Sequence, residues 1–292
     1  MIKNKLIGII GTRGISQIYF RELSKIGVKK IYTISKNYQN TLKNRLVLNN
    51  IVNTEIIPCK SIIDFKNKNL DLICICSPTH THLKYIKKFL KTKSKLIVEK
   101  PLFDLKNLSE KKINEITKNI FKKNSNKLIT NLPLLEFSRI LKKKFSIKKK
   151  IKIIKFKYHT SGKNNYNDIA IDLLPHALSF LLYLYGKKIN TINIYNKEIK
   201  KNNWNIFFRF NDIKCYFDFN QNHKKKKSIL KISLDNINYL RIQKKVQSKL
   251  QNIEEYIKSG LKLKKIENVM KISINKNINK LLKNRITNND ID

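Results

Sequence analysis

The sequence predicts an α/β unit on a doubly wound parallel sheet, followed by an α+β unit whose sheet is open and mainly antiparallel. Three observations carry this. Short apolar runs alternate with helix-like stretches over residues 5–131, the rhythm of a parallel sheet with helical crossovers. The first run ends in a glycine turn, Gly11-Thr12-Arg13-Gly14-Ile15, that leads into an amphipathic stretch. From Lys148 the rhythm changes to long segments such as Lys150–Tyr158, apolar on one face and basic on the other, as in strands with one face covered. The boundary between the two rhythms divides the chain into 1–131 and 132–292.

Taken in order, Lys5–Gly11 reads as a buried strand and Ile18–Ile26 as the helix after it. A glycine turn between them allows a tight reversal. The helix start then offers unpaired N–H groups and a positive dipole end to a pyrophosphate. Lys30–Ile34 is a second strand, closing in Ser35-Lys36. A fold that prefers NAD carries an Asp or Glu at this point for the ribose 2′-hydroxyl. Ser35, Lys36 and the facing Arg13 would instead hold a 2′-phosphate by charge-assisted hydrogen bonds, so NADP is expected over NAD.

The alternation continues through Gln39–Leu48, Thr54–Pro58 and Ser61–Lys66 to the strand Leu70–Cys76, which closes in Ser77-Pro78-Thr79-His80-Thr81-His82. A helix over Leu83–Lys91 then leads to Lys95–Pro101, the stretch around which the chain is organised. Leu96–Val98 has the β-branched richness of a buried strand, and Pro101 pushes Lys100 towards an extended conformation. Lys100 should thus lie just past the carboxyl end of a strand, where open α/β sheets bind ligands. The tripeptide Glu99-Lys100-Pro101 alone reads equally as a solvated turn.

Leu128–Thr130 closes the first unit, and Leu134–Phe145 is a connecting helix. Strands follow at Ile189–Ile199, Trp204–Phe210, Lys214–Phe219, Ser228–Leu234 and Tyr239–Gln243, with turns at Asn211-Asp212 and Asp235-Asn236. A helix over Leu173–Tyr185 backs them. Ile253–Lys283 is expected to be helical, with Asn288–Asp292 frayed. A sheet with one face uncovered suggests pairing of subunits into a homo-oligomer.

At 292 residues and 41% hydrophobic, the chain can bury real cores. No apolar run has the length of a membrane span. Met1–Lys5 shows no cleavable signal pattern, and four cysteines without framework spacing suit the reducing cytoplasm. The net charge of +43 is spread over nearly every segment, and only seven of the 63 basic residues are arginine. With two alanines among abundant Lys, Asn and Ile, this is the slant of an AT-rich genome. It is not the clustered, arginine-bearing face of a specific nucleic-acid binder. Lys224–Lys227 reads as a solvated hairpin. Cys74, Cys76, His80 and His82 lack zinc-site spacing, and Cys74 and Cys76 share a buried strand face, so packed thiols are expected and no metal.

Gly11-Thr12-Arg13-Gly14-Ile15, Ser77–His82 and Glu99-Lys100-Pro101 together resemble the glucose–fructose oxidoreductase / inositol dehydrogenase (Gfo/Idh/MocA) family. That family carries a Pro-x-x-x-His turn, matched by Pro78 and His82, and a Glu-Lys-Pro turn one strand later. Its second half carries an Asp-x-x-x-His pair opening a helix that ends in glycine; here Asp172 to His176 precede Ala177–Gly186. Departures are Arg13 in place of the second glycine, Pro175 before the histidine, Ser179 for a frequent aspartate, Pro133 for an arginine after Asn131, and Asp168–Ile171 for the preceding glycines. The resemblance implies a Rossmann first domain and a nicotinamide cofactor held by Gly11, Thr12, Arg13, Gly14, Ile15, Ser35, Lys36, Ser77, Pro78, His82, Glu99 and Lys100. It implies a small hydroxy or carbonyl substrate, sugar-like or, in a specialised pathway, an imine or ketone. Lys100 would stabilise negative charge on the substrate oxygen, His176 carry the proton and Asp172 orient the imidazole or bind a hydroxyl. Four residues apart, Asp172 and His176 share a helix face. Each also has a plain reading, Asp172 as a helix N-cap and His176 as a buried core histidine. A drifted, non-catalytic relative is the remaining alternative.

Overall fold

The computed structural model describes residues 2–124, 126–145, 151–160, 166–186, 192–200, 202–221, 228–245, 252–258, 261–262 and 268–282. Lys224–Lys227 and Asn288–Asp292 lie outside them. Two compact units emerge: the chain up to Asn131 together with the chain from Ser273 on, and Leu132–Ile272.

The first unit is a six-stranded parallel sheet. Its strands are β1 (Ile7–Ile10), β2 (Lys30–Ile34), β3 (Glu55–Pro58), β4 (Leu72–Ile75), β5 (Lys95–Glu99) and β6 (Leu128–Asn131), in spatial order β3-β2-β1-β4-β5-β6. β1 and β4 are buried at every residue, which is why both read as unbroken apolar runs. The order reverses between β1 and β4, and open α/β sheets bind ligands at the carboxyl ends of the strands flanking such a reversal. The helices are α1 (Ser16–Lys25), α2 (Tyr38–Asn49), α3 (Ile62–Asn67), α4 (His82–Phe89) and α5 (Glu110–Asn124). Asn37 caps α2 by accepting from the Gln39 N–H at 2.8 Å, and Ser61 caps α3 from the Asp64 N–H at 3.1 Å.

The last helix, α8 (Val269–Leu282), joins this unit from Ser273 on. Ile274, Ile278 and Leu281 are buried along one stripe. Polar bonds pin it: Ser273 Oγ donates to Asn131 Oδ1 at 2.6 Å, Asn275 Nδ2 to Glu22 Oε2 at 2.7 Å, and Lys95 Nζ to the Leu281 carbonyl at 2.6 Å. From Ser273 on the helix is grouped with residues 1–131, whereas the sequence reading divides the chain at 131/132. The partners named here, Asn131, Glu22 and Lys95, lie in the parallel-sheet half.

The second unit holds α6 (Pro133–Phe145), α7 (Tyr166–Tyr185) and an eight-stranded sheet. Its strands are β7 (Ile153–Thr160), β8 (Ile192–Lys200), β9 (Asn203–Phe210), β10 (Ile213–Gln221), β11 (Ile229–Leu234), β12 (Ile237–Lys245), β13 (Asn252–Lys258) and β14 (Leu261–Lys262), in order β14-β13-β12-β11-β7-β10-β9-β8. All neighbours are antiparallel except β7 and β10. Asn211 and Asp235 turn two of the hairpins in the left-handed region, at φ 52° and 49°, as their short polar side chains permit. Inward residues Ile154, Phe156, Phe217, Phe219 and Ile232 pack with Ile169, Leu173, Ala177 and Phe180 of α7. The outward face carries a stacked ladder, Tyr195–Phe207 at 5.2 Å and Phe207–Tyr216 at 4.5 Å. A groove of about 650 Å³ runs beside it, bordered by Lys155, Lys157, Asp218 and Lys231.

Two sequence expectations change here. Asn252–Lys258 is a strand, not part of a tail helix; it pairs antiparallel with β12. Ile253–Ile257 fits either period, and the open hydrogen-bonding edge of β12 decides. The helix carrying Asp172 starts at Tyr166, so the pair sits well inside it, and Pro175 is a helix-interior proline. Asp172 is therefore no N-cap. Among the described residues no helix is long and apolar enough to cross a membrane.

Candidate active site

In the first unit, the loop Gly11–Ile15 lies at the carboxyl end of β1. Gly11 adopts φ +103°, and a Cβ there would come within 2.9 Å of the Cys76 carbonyl. Only glycine allows the loops after β1 and β4 to meet this closely. Gly14 adopts φ +61° with open space around it. Thr12 is buried and its Oγ1 accepts from Asn44 Nδ2 of α2 at 2.8 Å. Arg13, at the position of the second family glycine, is exposed, so its side chain does not fill the loop. Ile15 gives no side-chain cap to α1. The Gln17 and Ile18 N–H groups turn back on the Gly14 and Ile15 carbonyls at 3.2 and 3.0 Å, so the helix start is closed by backbone, with its positive dipole end following the glycine loop.

Beside this loop, Ser35 and the exposed Lys36 follow β2. The Ser35 hydroxyl lies 2.6 Å from Thr41 Oγ1 and 3.0 Å from the Asn37 carbonyl, so it also shapes the start of α2. After β4, Ser77 Oγ lies 2.6 Å from Thr81 Oγ1, while Pro78 is exposed. His82, only 1% exposed, opens α4. Its Nδ1 lies 2.9 Å from the Pro101 carbonyl and its Nε2 lies 2.7 Å from the Ser77 carbonyl. Burial lowers its pKa, against those two carbonyls, which favour the charged ring. His82 ties the turn after β4 to the turn after β5; it is a brace, with both nitrogens engaged by backbone.

Lys100 follows β5, half-buried, with a cis peptide bond to Pro101. Glu99, just before it, points into the unit. Its Oε1 accepts from Tyr19 OH of α1 at 2.6 Å and from Asn131 Nδ2 of β6 at 2.7 Å. Asn131 in turn accepts from Ser273 and, at 3.2 Å, from Asn277 Nδ2. Burial raises the Glu99 pKa, while Tyr19, Asn131 and the Lys100 ammonium pull it back. Burial also pushes the Tyr19 phenol and the Cys74 and Cys76 thiols up. Among the described residues no group of three or more His, Cys, Asp or Glu is placed to hold a metal ion.

In the second unit, His176 lies on the buried stripe of α7 and is 6% exposed. Its ring meets Tyr158 of β7 edge to face at 5.7 Å, and the Arg241 guanidinium of β12 lies 5.4 Å from that tyrosine ring. Ser179 Oγ donates to the His176 carbonyl at 2.9 Å. Asp172 is half-buried, and its Oδ2 accepts from Nε2 of Gln221, the last residue of β10. The structure brings Asp172 and His176 onto one face of α7, and places Lys100 just past the carboxyl end of β5 in the first unit.

Comparison with known proteins settles the kinship. A family model described as an oxidoreductase family with an NAD-binding Rossmann fold (GFO_IDH_MocA) matches residues 5–131. Residues 5–131 thus match the NAD-binding Rossmann domain of the Gfo/Idh/MocA oxidoreductase family, and that match supports an NAD(P)-dependent dehydrogenase or reductase. Comparison with curated protein sequences gives no significant match. Among solved structures, a Gfo/Idh/MocA family oxidoreductase from Vibrio cholerae is similar at TM-score 0.67 and 13% identity, over 99% of this chain and 93% of that one. UDP-N-acetylglucosamine 3-dehydrogenase from Acidithiobacillus ferrooxidans is similar at 0.69 and 12%, over 97% and 90%. Biliverdin reductase from Synechocystis sp. PCC 6803, solved with biliverdin and NADP+, is similar at 0.65 and 12%, over 98% and 93%. At such identities the likeness is one of fold, and the fold alone names no substrate.

In this chain, sequence reasoning missed Tyr19, Asn44 and Gln221. Tyr19 and Asn44 had no legible signal, since a helix offers many polar positions. Gln221 had one. The alternation Cys215, Phe217, Phe219 places it on the inward face of β10, where a polar residue needs a reason.

Proposed function

We propose that the protein is an NADP-preferring oxidoreductase that moves a hydride between nicotinamide and a sugar-like hydroxy or carbonyl substrate. The observation that carries this reading is the sheet reversal between β1 and β4, with a glycine loop after β1 and Lys100 just past β5. Gly11–Ile15, with Ser77 and Pro78, hold the pyrophosphate and the nicotinamide side. Arg13, Ser35 and Lys36 hold the 2′-phosphate. His82 and Glu99 act through the turns they brace.

The bound cofactor supplies a hydride acceptor or donor. Lys100 places its ammonium against the substrate oxygen and offsets the charge that develops as the hydroxyl loses its proton. His176 accepts that proton in oxidation and returns it in reduction. Asp172 holds a substrate hydroxyl or the imidazole. Fluorescence titration with NADPH and NADH tests the cofactor half. Tight NADPH binding with weak NADH binding is expected; NADH bound more tightly would overturn the NADP preference. Turnover of sugars rather than cyclic imines with NADP+ or NADPH tests the substrate half.

The same reading has the chain working in the cytoplasm, supported by the four cysteines, all free and buried. It has two copies paired through the outward face of the second sheet, supported by the exposure of Tyr195 and Tyr216, at 54% and 38%. A Phe207→Glu protein that kept the wild-type mass in light scattering would remove the pairing from the proposal.

A further inference from the structure

We propose that the groove on the outward face of the second sheet binds a nucleotide, its planar base stacked on Tyr216 and its phosphate held by Lys155, Lys157 and Lys231. The proposal goes beyond the oxidoreductase reading. The groove lies wholly on β11, β7, β10 and β9 of the second unit, whereas the nicotinamide cofactor is assigned to the glycine loop of the first.

The base follows from the aromatic ladder. Tyr195, Phe207 and Tyr216 stand on the neighbouring strands β8, β9 and β10 at centroid steps of 5.2 and 4.5 Å, close to the spacing between strands. The next strand, β7, sets Lys155 across from Tyr216 and carries no ring there. Lys155 Nζ lies 6.0 Å from the Tyr216 ring centroid, on the side away from Phe207. Tyr216 is 38% exposed. The ladder thus ends on an aromatic face turned to the groove, with a long, flexible cation where the next rung would stand. A planar guest there continues the stack, and every nucleobase has such a face.

The phosphate follows from the charges. Lys157 and Lys231 are directly opposite one another across β7 and β11, a like-charge pairing that weakens a sheet. The one acid lining the groove, Asp218, is already engaged: Oδ2 lies 3.1 Å from Lys157 Nζ, and Oδ1 lies 2.8 Å from His159 Nε2. Among the described residues Lys155 and Lys231 have no ion-pair partner. Two uncompensated ammoniums beside an exposed ring match a phosphate joined to a base, and about 650 Å³ is the size of a small-molecule site. The pairing of copies proposed above uses the same face. Two copies meeting directly would set these ammoniums against one another, and a phosphate in each groove offsets that repulsion.

The test is calorimetric titration of the NADPH-saturated full chain, at about 0.15 M ionic strength, with AMP, adenosine and inorganic phosphate. AMP should bind at least about 10-fold more tightly than either fragment. Tyr216→Ala and Lys231→Ala should each weaken AMP at least about 10-fold and leave the NADPH dissociation constant unchanged. Lys66→Ala, at an exposed lysine of the first unit, should leave AMP binding within about 2-fold. AMP binding that both groove variants leave intact would overturn the proposal, as would an equal loss in Lys66→Ala, which would reduce the effect to the chain's general charge. Phosphate binding as tightly as AMP would overturn the stacked base. Absence of AMP binding would overturn the site, and a light-scattering mass of two copies would then assign the groove to pairing alone. If NADPH itself does not bind, the cofactor reading fails separately, and the same AMP titrations without it still decide. If Tyr216→Ala fails to fold, Lys231→Ala, at an exposed side chain, decides alone.

Discussion

Each unit of the molecule keeps a carboxylate at its site, and the two are treated in opposite ways. Glu99, in the parallel-sheet unit, is enclosed: Tyr19 and Asn131 donate to it, and Asn131 is met by Ser273 and Asn277. That network joins α1, β5, β6 and α8, and the acceptors named in it are all met. Asp172, in the mixed-sheet unit, is half-buried and accepts from Gln221, whose oxygen has no hydrogen-bond partner among the described residues. A closed network rigidifies. On the proposed function, Glu99 braces the site and Asp172 meets what enters it.

The largest test removes the group on the border between these roles. Lys100→Ala should cut single-turnover hydride transfer roughly 10²–10³-fold, with the NADPH dissociation constant within about 3-fold of wild type. Retained turnover would make Lys100 another solvated lysine. Next, the closed network should matter to stability and Asp172 to rate. Asn131→Ala strands Glu99 and Ser273 and should cost about 2–4 kcal/mol in urea unfolding. Asp172→Asn should cost under about 1 kcal/mol there while slowing turnover roughly 10²-fold. Equal losses of stability would erase the distinction. A smaller effect is expected from Arg13→Ala with Lys36→Ala, which should weaken NADPH binding about 10-fold and leave NADH binding alone.

The finest probe is pH. Because burial raises the folded pKa of Glu99 above its ordinary 4.5, its stabilising contribution is complete below that value and is lost as pH rises through the folded pKa. Glu99→Gln, which stays neutral and keeps an acceptor oxygen, should melt at or above wild type near neutral pH, and the advantage should shrink as pH falls below 4.5. A variant less stable than wild type at neutral pH would mean that the bonds from Tyr19 and Asn131 outweigh desolvation.

Much of the first unit was legible because its signals are local. β2 matches its expected span, Lys30–Ile34, to the residue, and Gly11 declared a turn that only glycine can make. The glycine loop and the lysine turn could be placed at strand ends from the order of apolar runs alone. Long-range partners were not legible. Nothing near Asn131 in the sequence announces Ser273, 142 residues away, and nothing in Ile253–Ile257 shows that β12 offers an edge to pair with. Asp172 illustrates a third kind of miss. Pro175, three residues after Asp172, fits the first turn of a helix capped by that aspartate, yet a helix held against a broad apolar sheet can absorb an interior proline and begin at Tyr166.

The return of α8 has a consequence for synthesis. Asn131 leaves the ribosome long before Ser273 does, and at about 5–20 residues per second the interval is roughly 7–30 s. During it the parallel sheet must stand with its last helix still missing, its Asn131 carboxamide and the sites of Glu22 and Lys95 exposed to whatever else is in reach. A nascent chain stalled before Ser273 should therefore be readily cut by protease in its first half, and should gain resistance only once the last helix has emerged.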